Sequence, residues 1–185
     1  MSAADKRATR NIAPPRVRTA AARGKAATVE AQIRAFVANY APAVARDLRA
    51  ARRRLRALFP RGYELVYDNY NALAIGYASS ERASDAIVSI AAYPNWVTLF
   101  FLYGKPLADP HGLLQGSGSR VRSIRLAPLA RLDEAPVRAL LARALAPYAA
   151  ALRAAPALRT IVKSVSARQR PRRPAAAAGK STRHA

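Results

Sequence analysis

Two periods of apolar spacing divide the chain. From residue 29 to residue 58 the apolar side chains recur every three or four positions, and from residue 133 that helical spacing returns; between them, residues 64–126 hold short dense apolar runs. Val29, Ile33, Phe36, Val37 and Tyr40 form one helical stripe, with Thr28 ahead of them as N-cap. Pro42 ends that helix and opens a second, since proline is accepted in a first turn but not in a helix interior. The second helix places Val44, Leu48, Ala51, Leu55 and Leu58 on one face. Arg46, Arg49, Arg53 and Arg56 fall on the other, with Arg52 beside them, and Phe59-Pro60-Arg61-Gly62 stops the helix.

The middle of the chain reads as strands. ELVYD (residues 64–68) and ALAIGYA (residues 72–78) flank a turn at Asn69-Tyr70-Asn71. AIVSIAAY and WVTLFFLY flank Pro94-Asn95 as a hairpin, and their nearly continuous apolar character predicts a central position covered on both faces. VRSIRL (residues 121–126) predicts a last strand. Asp133 then caps a closing helix that has Glu134 in its first turn and a kink at Pro147. Its apolar side holds Val137, Leu140, Leu141, Ala144, Leu145 and Leu152. The order predicts an α+β domain over residues 27–155. It is a mainly antiparallel sheet of four to five strands, with two N-terminal helices and one long C-terminal helix packed on it. Residues 1–26 read as a disordered basic arm, and residues 156–185 as a disordered basic Pro/Ala/Arg tail holding one apolar patch, LRTIVKSV.

Charge sharpens this reading. The 185 residues hold 32 Lys and Arg against 10 Asp and Glu, a net charge of +22. Residues 1–26 contribute +6, residues 27–153 contribute +8 and residues 154–185 contribute +8. Most of the excess therefore lies on the flanks, which predicts non-specific contact with nucleic acid through the tails. The absence of cysteine excludes disulfides, thiolate metal sites and a cysteine nucleophile. No run approaches the roughly 20 apolar residues of a membrane span, and the N-terminus lacks the apolar stretch of a secretory signal. A cytoplasmic protein without membrane contact is expected.

Candidate chemistry concentrates between Leu107 and Leu126, in LADPHGLLQGSGSRVRSIRL. His111 is the only histidine within the predicted domain, and the other, His184, is near the chain end, so no two-histidine metal site can form there. Asp109 can orient the His111 ring, or Asp-Pro-His-Gly can simply turn the chain. Gly112, Gly116 and Gly118 lack the Gly-Lys-Ser/Thr ending of a nucleotide loop, and a strand rather than a helix follows them. Backbone amides in such a loop still form an anion nest, with Arg120 and Arg122 adding charge from one strand face and Arg125 from the other. Asp109, His111, Gly116, Gly118, Arg120 and Arg122 are accordingly the candidate loop for a small anionic ligand or a protein partner.

Catalysis finds less support. Glu64 and Asp68 share a strand face about 13 Å apart, too far for a retaining glycosidase pair. Ser79, Ser80, Ser117 and Ser119 lack a base–acid set and a nucleophile elbow. No catalytic residue, metal or cofactor is assigned, and a non-enzymatic protein is expected. No helix–turn–helix, zinc finger or aromatic RNA-binding strand signature is legible.

Three segments together resemble the YdhG-like domain family, small bacterial α+β proteins of largely unknown function. They are YDNYNALAIGYASSERASDAI from Tyr67, PNWVTLFFLYGKPLADPHGLLQGSGSRVRSIRL from Pro94, and DEAPVRALLARAL from Asp133. The resemblance covers residues 29–153. It is most specific where an aromatic strand runs through Gly104 into Leu107-Ala108-Asp109-Pro110, a Gly-rich loop and a basic strand. It implies the α+β fold and an accessory, ligand- or partner-binding role. Some relatives are described as frataxin-like iron chaperones, a role that needs several carboxylates displayed together. Nine acids in residues 27–153 beside a surplus of arginine set this chain apart on that point.

Overall fold

The computed structural model describes residues 20–174. Two helices, α1 (Ala20–Ala38) and α2 (Pro42–Leu58), precede the strands β1 (Tyr63–Asp68), β2 (Leu73–Ala78), β3 (Ala86–Ala92), β4 (Val97–Phe101) and β5 (Arg122–Arg125). A helical run follows, α3 (Ala135–Leu145) and α4 (Ala149–Ala154), joined by a 3-10 turn over Ala146–Tyr148 that contains Pro147. The chain then returns to the sheet as β6 (Arg159–Val165). The fold is α+β, with one six-stranded mixed sheet in the order β5-β4-β3-β2-β1-β6.

Several expectations are corrected. The sheet is not antiparallel throughout and has more than five strands, because the patch read as tail is β6, paired parallel to β1. Its partner lies almost a hundred residues earlier, where no local pattern can point to it. The first helix starts at Ala20, inside the span read as arm. The alanines before Thr28 extend it, and the Thr28 hydroxyl donates to the Gly24 carbonyl one turn back instead of capping. Glu134, not Asp133, occupies the N-cap of α3 and makes no side-chain capping bond, while Asp133 pairs with Arg54. Residues 1–19 of the predicted arm and residues 175–185 of the predicted tail lie outside the described residues.

One face of the sheet meets the helices. Val66 and Asp68 of β1, Leu73, Ile75 and Tyr77 of β2, Val88, Ile90 and Ala92 of β3, Val97, Leu99 and Phe101 of β4, and Ile124 of β5 point to that side, all buried. They pack with Ile33, Val37 and Tyr40 of α1, Leu48 and Leu55 of α2, and Val137, Leu140 and Leu141 of α3. Each buried Leu or Ile contributes about 1.5–3 kcal/mol relative to exposure. Leu58, placed on this face by the helical pattern, is instead 48% exposed at the end of α2.

The opposite face alternates with the first, as strand geometry requires. It carries a smaller cluster of Leu65, Ala78 and Ala86 with Tyr63, Tyr67, Leu102 and Ile161, to which no helix contributes. Cover on both faces, expected for the β3–β4 hairpin, is therefore provided by helices on one side only. Small residues keep the other side shallow: Ala74, Gly76, Ser89, Ala91 and Thr98 sit in adjacent registers across β2, β3 and β4.

Candidate binding surfaces

The loop from Gly104 to Val121 is built from its own polar groups. Asp109 accepts a hydrogen bond from the Leu114 N–H at 2.7 Å, closing a turn around His111 and Gly112. Burial works against its charge but is outweighed by backbone N–H groups of Leu114, Leu113 and His111, which hold the carboxyl below its ordinary value. Gln115 then forms a two-bond antiparallel bridge with Ser123, at 2.9 Å in each direction. Gly116 follows at φ +116°, a backbone conformation that side chains disfavour, and turns the chain away from β5. The loop thus covers part of the outer edge of β5, a position where an unpaired strand invites association.

The candidate loop residues come together in pairs, Asp109 beside His111 and Arg122 beside Gly118. His111, Gly116, Gly118 and Arg120 are exposed, whereas Asp109 and Arg122 are half-buried. Arg122 folds back to donate to the Gly118 and Val121 carbonyls at 2.6 and 2.8 Å. Arg120 lies over the Tyr103 ring, 4.8 Å from its centroid. Arg125 lies over Trp96 at 4.1 Å. Guanidinium groups in such positions are held in place while keeping an outer face for an anion or a base.

A cleft of about 220 Å³ opens beside the start of this loop, lined by Ile87, Phe101, Tyr103, Leu107, Arg143 and Tyr148, among others. The Arg143 guanidinium donates to the Ala108 carbonyl at 2.9 Å, and the Tyr103 hydroxyl to the Ser84 carbonyl at 2.7 Å. Burial pushes the Tyr148 phenol up, with Tyr103 and Asp85 adding to the effect, so it remains a neutral donor. Of the lining, the loop supplies only Pro106 and Leu107. Arg143 and Tyr148 come from the distant closing helices, and no spacing in the sequence couples them to the loop.

The carboxylates are engaged inside the fold. Glu64, fully buried, receives Arg52 at 2.7 and 3.0 Å, Arg56 at 2.6 Å, Thr160 at 2.8 Å and the Tyr77 hydroxyl at 3.0 Å. Arg52 grips Glu30 as well, with two bonds of 2.6 and 2.7 Å, and this hydrogen bonding holds the Glu30 carboxyl below its ordinary value against the opposing effect of burial. Asp68 pairs with buried Arg172 at 2.8 Å. Arg172 also donates to the Asn69 carbonyl and lies over Tyr40, whose hydroxyl in turn bridges the Leu73 N–H and the Ala92 carbonyl. Glu64 and Asp68 share one strand face as expected, and that face meets the helices, where both serve as ion-pair anchors. Among the described residues no group of three or more His, Asp or Glu side chains is placed to hold a metal ion.

The inclusion of β6 in the sheet also changes the charge of the folded part. Residues 20–174 hold 25 basic and 9 acidic groups, so the described part carries +16 of the +22, not the minority expected. A wide apolar groove of about 630 Å³ lies between α2 and α3 over Ala57, Leu58, Ala139 and Ala142, with Arg54 and Arg138 on its rim. No described helix is long and apolar enough to cross a membrane. No protein-family model, curated protein or solved structure matches the chain.

Proposed function

We propose that this chain is a cytoplasmic, non-enzymatic binding protein of the YdhG-like kind, whose partner is nucleic acid held in part by the folded domain itself. The observation that carries this reading is the unequal fate of its charges. Glu30, Asp47, Glu64, Asp68 and Asp133 are in ion pairs, and Asp109 is held by backbone amides. Among the described residues only Arg46, Arg52, Arg54, Arg56 and Arg172 share those ion pairs, leaving most of the basic groups facing solvent without a carboxylate. A surface of that kind concentrates polyanions and releases their counterions on contact.

The tails are not the whole of the attraction on this reading, because residues 20–174 carry +16 of the +22, and part of the span first read as tail is held to the fold by Arg172 on Asp68 and Arg173 on the Ala38 and Asn39 carbonyls. The test is fluorescence anisotropy of a labelled oligonucleotide titrated with the full chain at several salt concentrations. The expected result is binding that persists near physiological salt, with log K falling by about 0.7 per neutralised phosphate per decade of salt for a single strand. Absence of binding near physiological salt rejects the reading.

A small anionic ligand is the second reading, and the cleft beside Leu107 favours it. Arg143 offers charge there and Tyr148 a neutral donor within an apolar lining. Calorimetric titration with a short aromatic carboxylate tests this, with binding expected in the native chain and lost in Arg143→Ala.

A further inference from the structure

The sheet face that the helices leave uncovered has a definite relief. Tyr63 and Tyr67 stand on β1, and Phe100 stands on β4 with Trp96 just before it. Between them β2 and β3 present Ala74, Gly76, Ser89 and Ala91, placed in register by the strand pairing. The result is a shallow trough with aromatic walls three strand spacings, about 14 Å, apart. All four wall residues are half-buried, and the Tyr67 hydroxyl is buried without a hydrogen-bond partner, so its side chain lies against the sheet.

Charge on this face has one sign. Arg125 pairs in register with Thr98 on the β5 flank; on the β6 flank exposed Arg159 pairs with Tyr63, and exposed Lys163 stands at the bulge between Val162 and Ser164. Both strand carboxylates, Glu64 and Asp68, point to the helix side and are buried, so no strand position on the open face is acidic.

We propose that this trough is a site for single-stranded nucleic acid, with bases stacking on Tyr63, Tyr67, Phe100 and the Arg125–Trp96 pair, and phosphates meeting Arg125, Arg159 and Lys163. The proposal rests on the nucleic-acid reading above and names its surface and the form of its partner. Aromatic platforms beside basic flanks suit an unpaired strand, whose bases are free to stack, and offer little to a duplex, whose bases already stack on one another. The acid-free face favours this occupant over a protein helix, which would fit a trough of this width but would need to be acidic.

The chain has a single tryptophan, and it stands on this wall. The experiment titrates the full chain with a short oligothymidine, with the same length of duplex, and with heparin as a polyanion without bases, reading both Trp96 emission and anisotropy. Oligothymidine is expected to quench Trp96 and to bind more tightly than the duplex, while heparin binds without equivalent quenching. The double variant Tyr63→Leu/Phe100→Leu keeps the apolar packing and is expected to weaken oligothymidine binding by roughly ten-fold or more. Lys163→Glu, at an exposed position, is expected to weaken it independently of any effect on folding. Oligothymidine binding with unchanged Trp96 emission and unchanged affinity in both variants overturns the trough site while leaving the nucleic-acid reading intact. No oligonucleotide binding at all overturns both.

Discussion

Glu64 is the residue around which the interior is arranged. Its two oxygens accept from both Arg52 and Arg56, and from Thr160 and Tyr77, so elements far apart in the chain meet on one carboxylate. Removing one member of a buried ionic network leaves the others unpaired, which costs more than the intact network contributes. Glu64→Ala is therefore expected to destabilise the fold by about 3 kcal/mol or more, read as a lower urea midpoint. A change below about 0.5 kcal/mol would mean that the arginines find solvent without loss. Gly62 offers a second test at this scale. It sits at φ +106°, its N–H donates to the Pro156 carbonyl, and a methyl group there would meet the Ala78 carbonyl oxygen. Gly62→Ala is expected to cost about 1–3 kcal/mol by the same unfolding measurement. Neither role was legible in advance. The spacing puts Glu64 and Asp68 on one strand face without marking that face as the buried one, and Gly62 reads as an ordinary helix stop. By contrast, Tyr63 and Tyr67 alternate with Glu64 and Asp68 in the sequence, so the two-sided character of β1 could be seen there.

Elements named from dense local patterns held their places, and the one that needed a distant partner did not. The strands β1 to β5 and the proline-opened α2 follow runs long enough for their period to be read. LRTIVKSV is short, lies between prolines and carries two basic residues, so composition pointed to tail. In the fold Arg159–Val165 pair with β1 across a bulge at Lys163, and Arg172 beyond them reaches Asp68. A chain ending at Ala155 loses β6, the Thr160 bond to Glu64 and the partner of Asp68, while one ending at Pro174 keeps every described element. The shorter chain is expected to lose its cooperative thermal transition and the longer to keep it, as circular dichroism will report. The Glu30–Arg52 contact that ties α1 to α2 adds a dependence on pH. Because the folded-state value of Glu30 is depressed, its contribution is fully present above the ordinary glutamate value and is lost as pH falls through the lower, folded value. The urea midpoint should therefore fall below about pH 4, less steeply in Glu30→Gln than in the native chain. Parallel falls in the two proteins would remove Glu30 from the explanation.

At the scale of the molecule, the fold sorts its charge by sign. Glu64 and Asp68 are drawn inward, where with Glu30 they fasten α1, α2 and the C-terminal strand to the sheet, and most arginines remain at the surface. The Gly-rich loop, the most conspicuous feature of the sequence, covers part of the edge of β5 through Gln115, and Asp109 is engaged in closing its turn. The loop drew attention because glycine and charge are visible in one dimension. The open sheet face stayed hidden because its aromatic walls and basic flanks come from four strands. Ultraviolet cross-linking of the full chain to a single-stranded oligonucleotide, followed by mass spectrometry of the peptides, addresses the central claim directly. The account predicts adducts on the β1 segment holding Tyr63 and Tyr67 and on the β4 segment from Trp96 to Phe100. Adducts confined to residues outside 20–174, or to the helix side of the sheet, would contradict it.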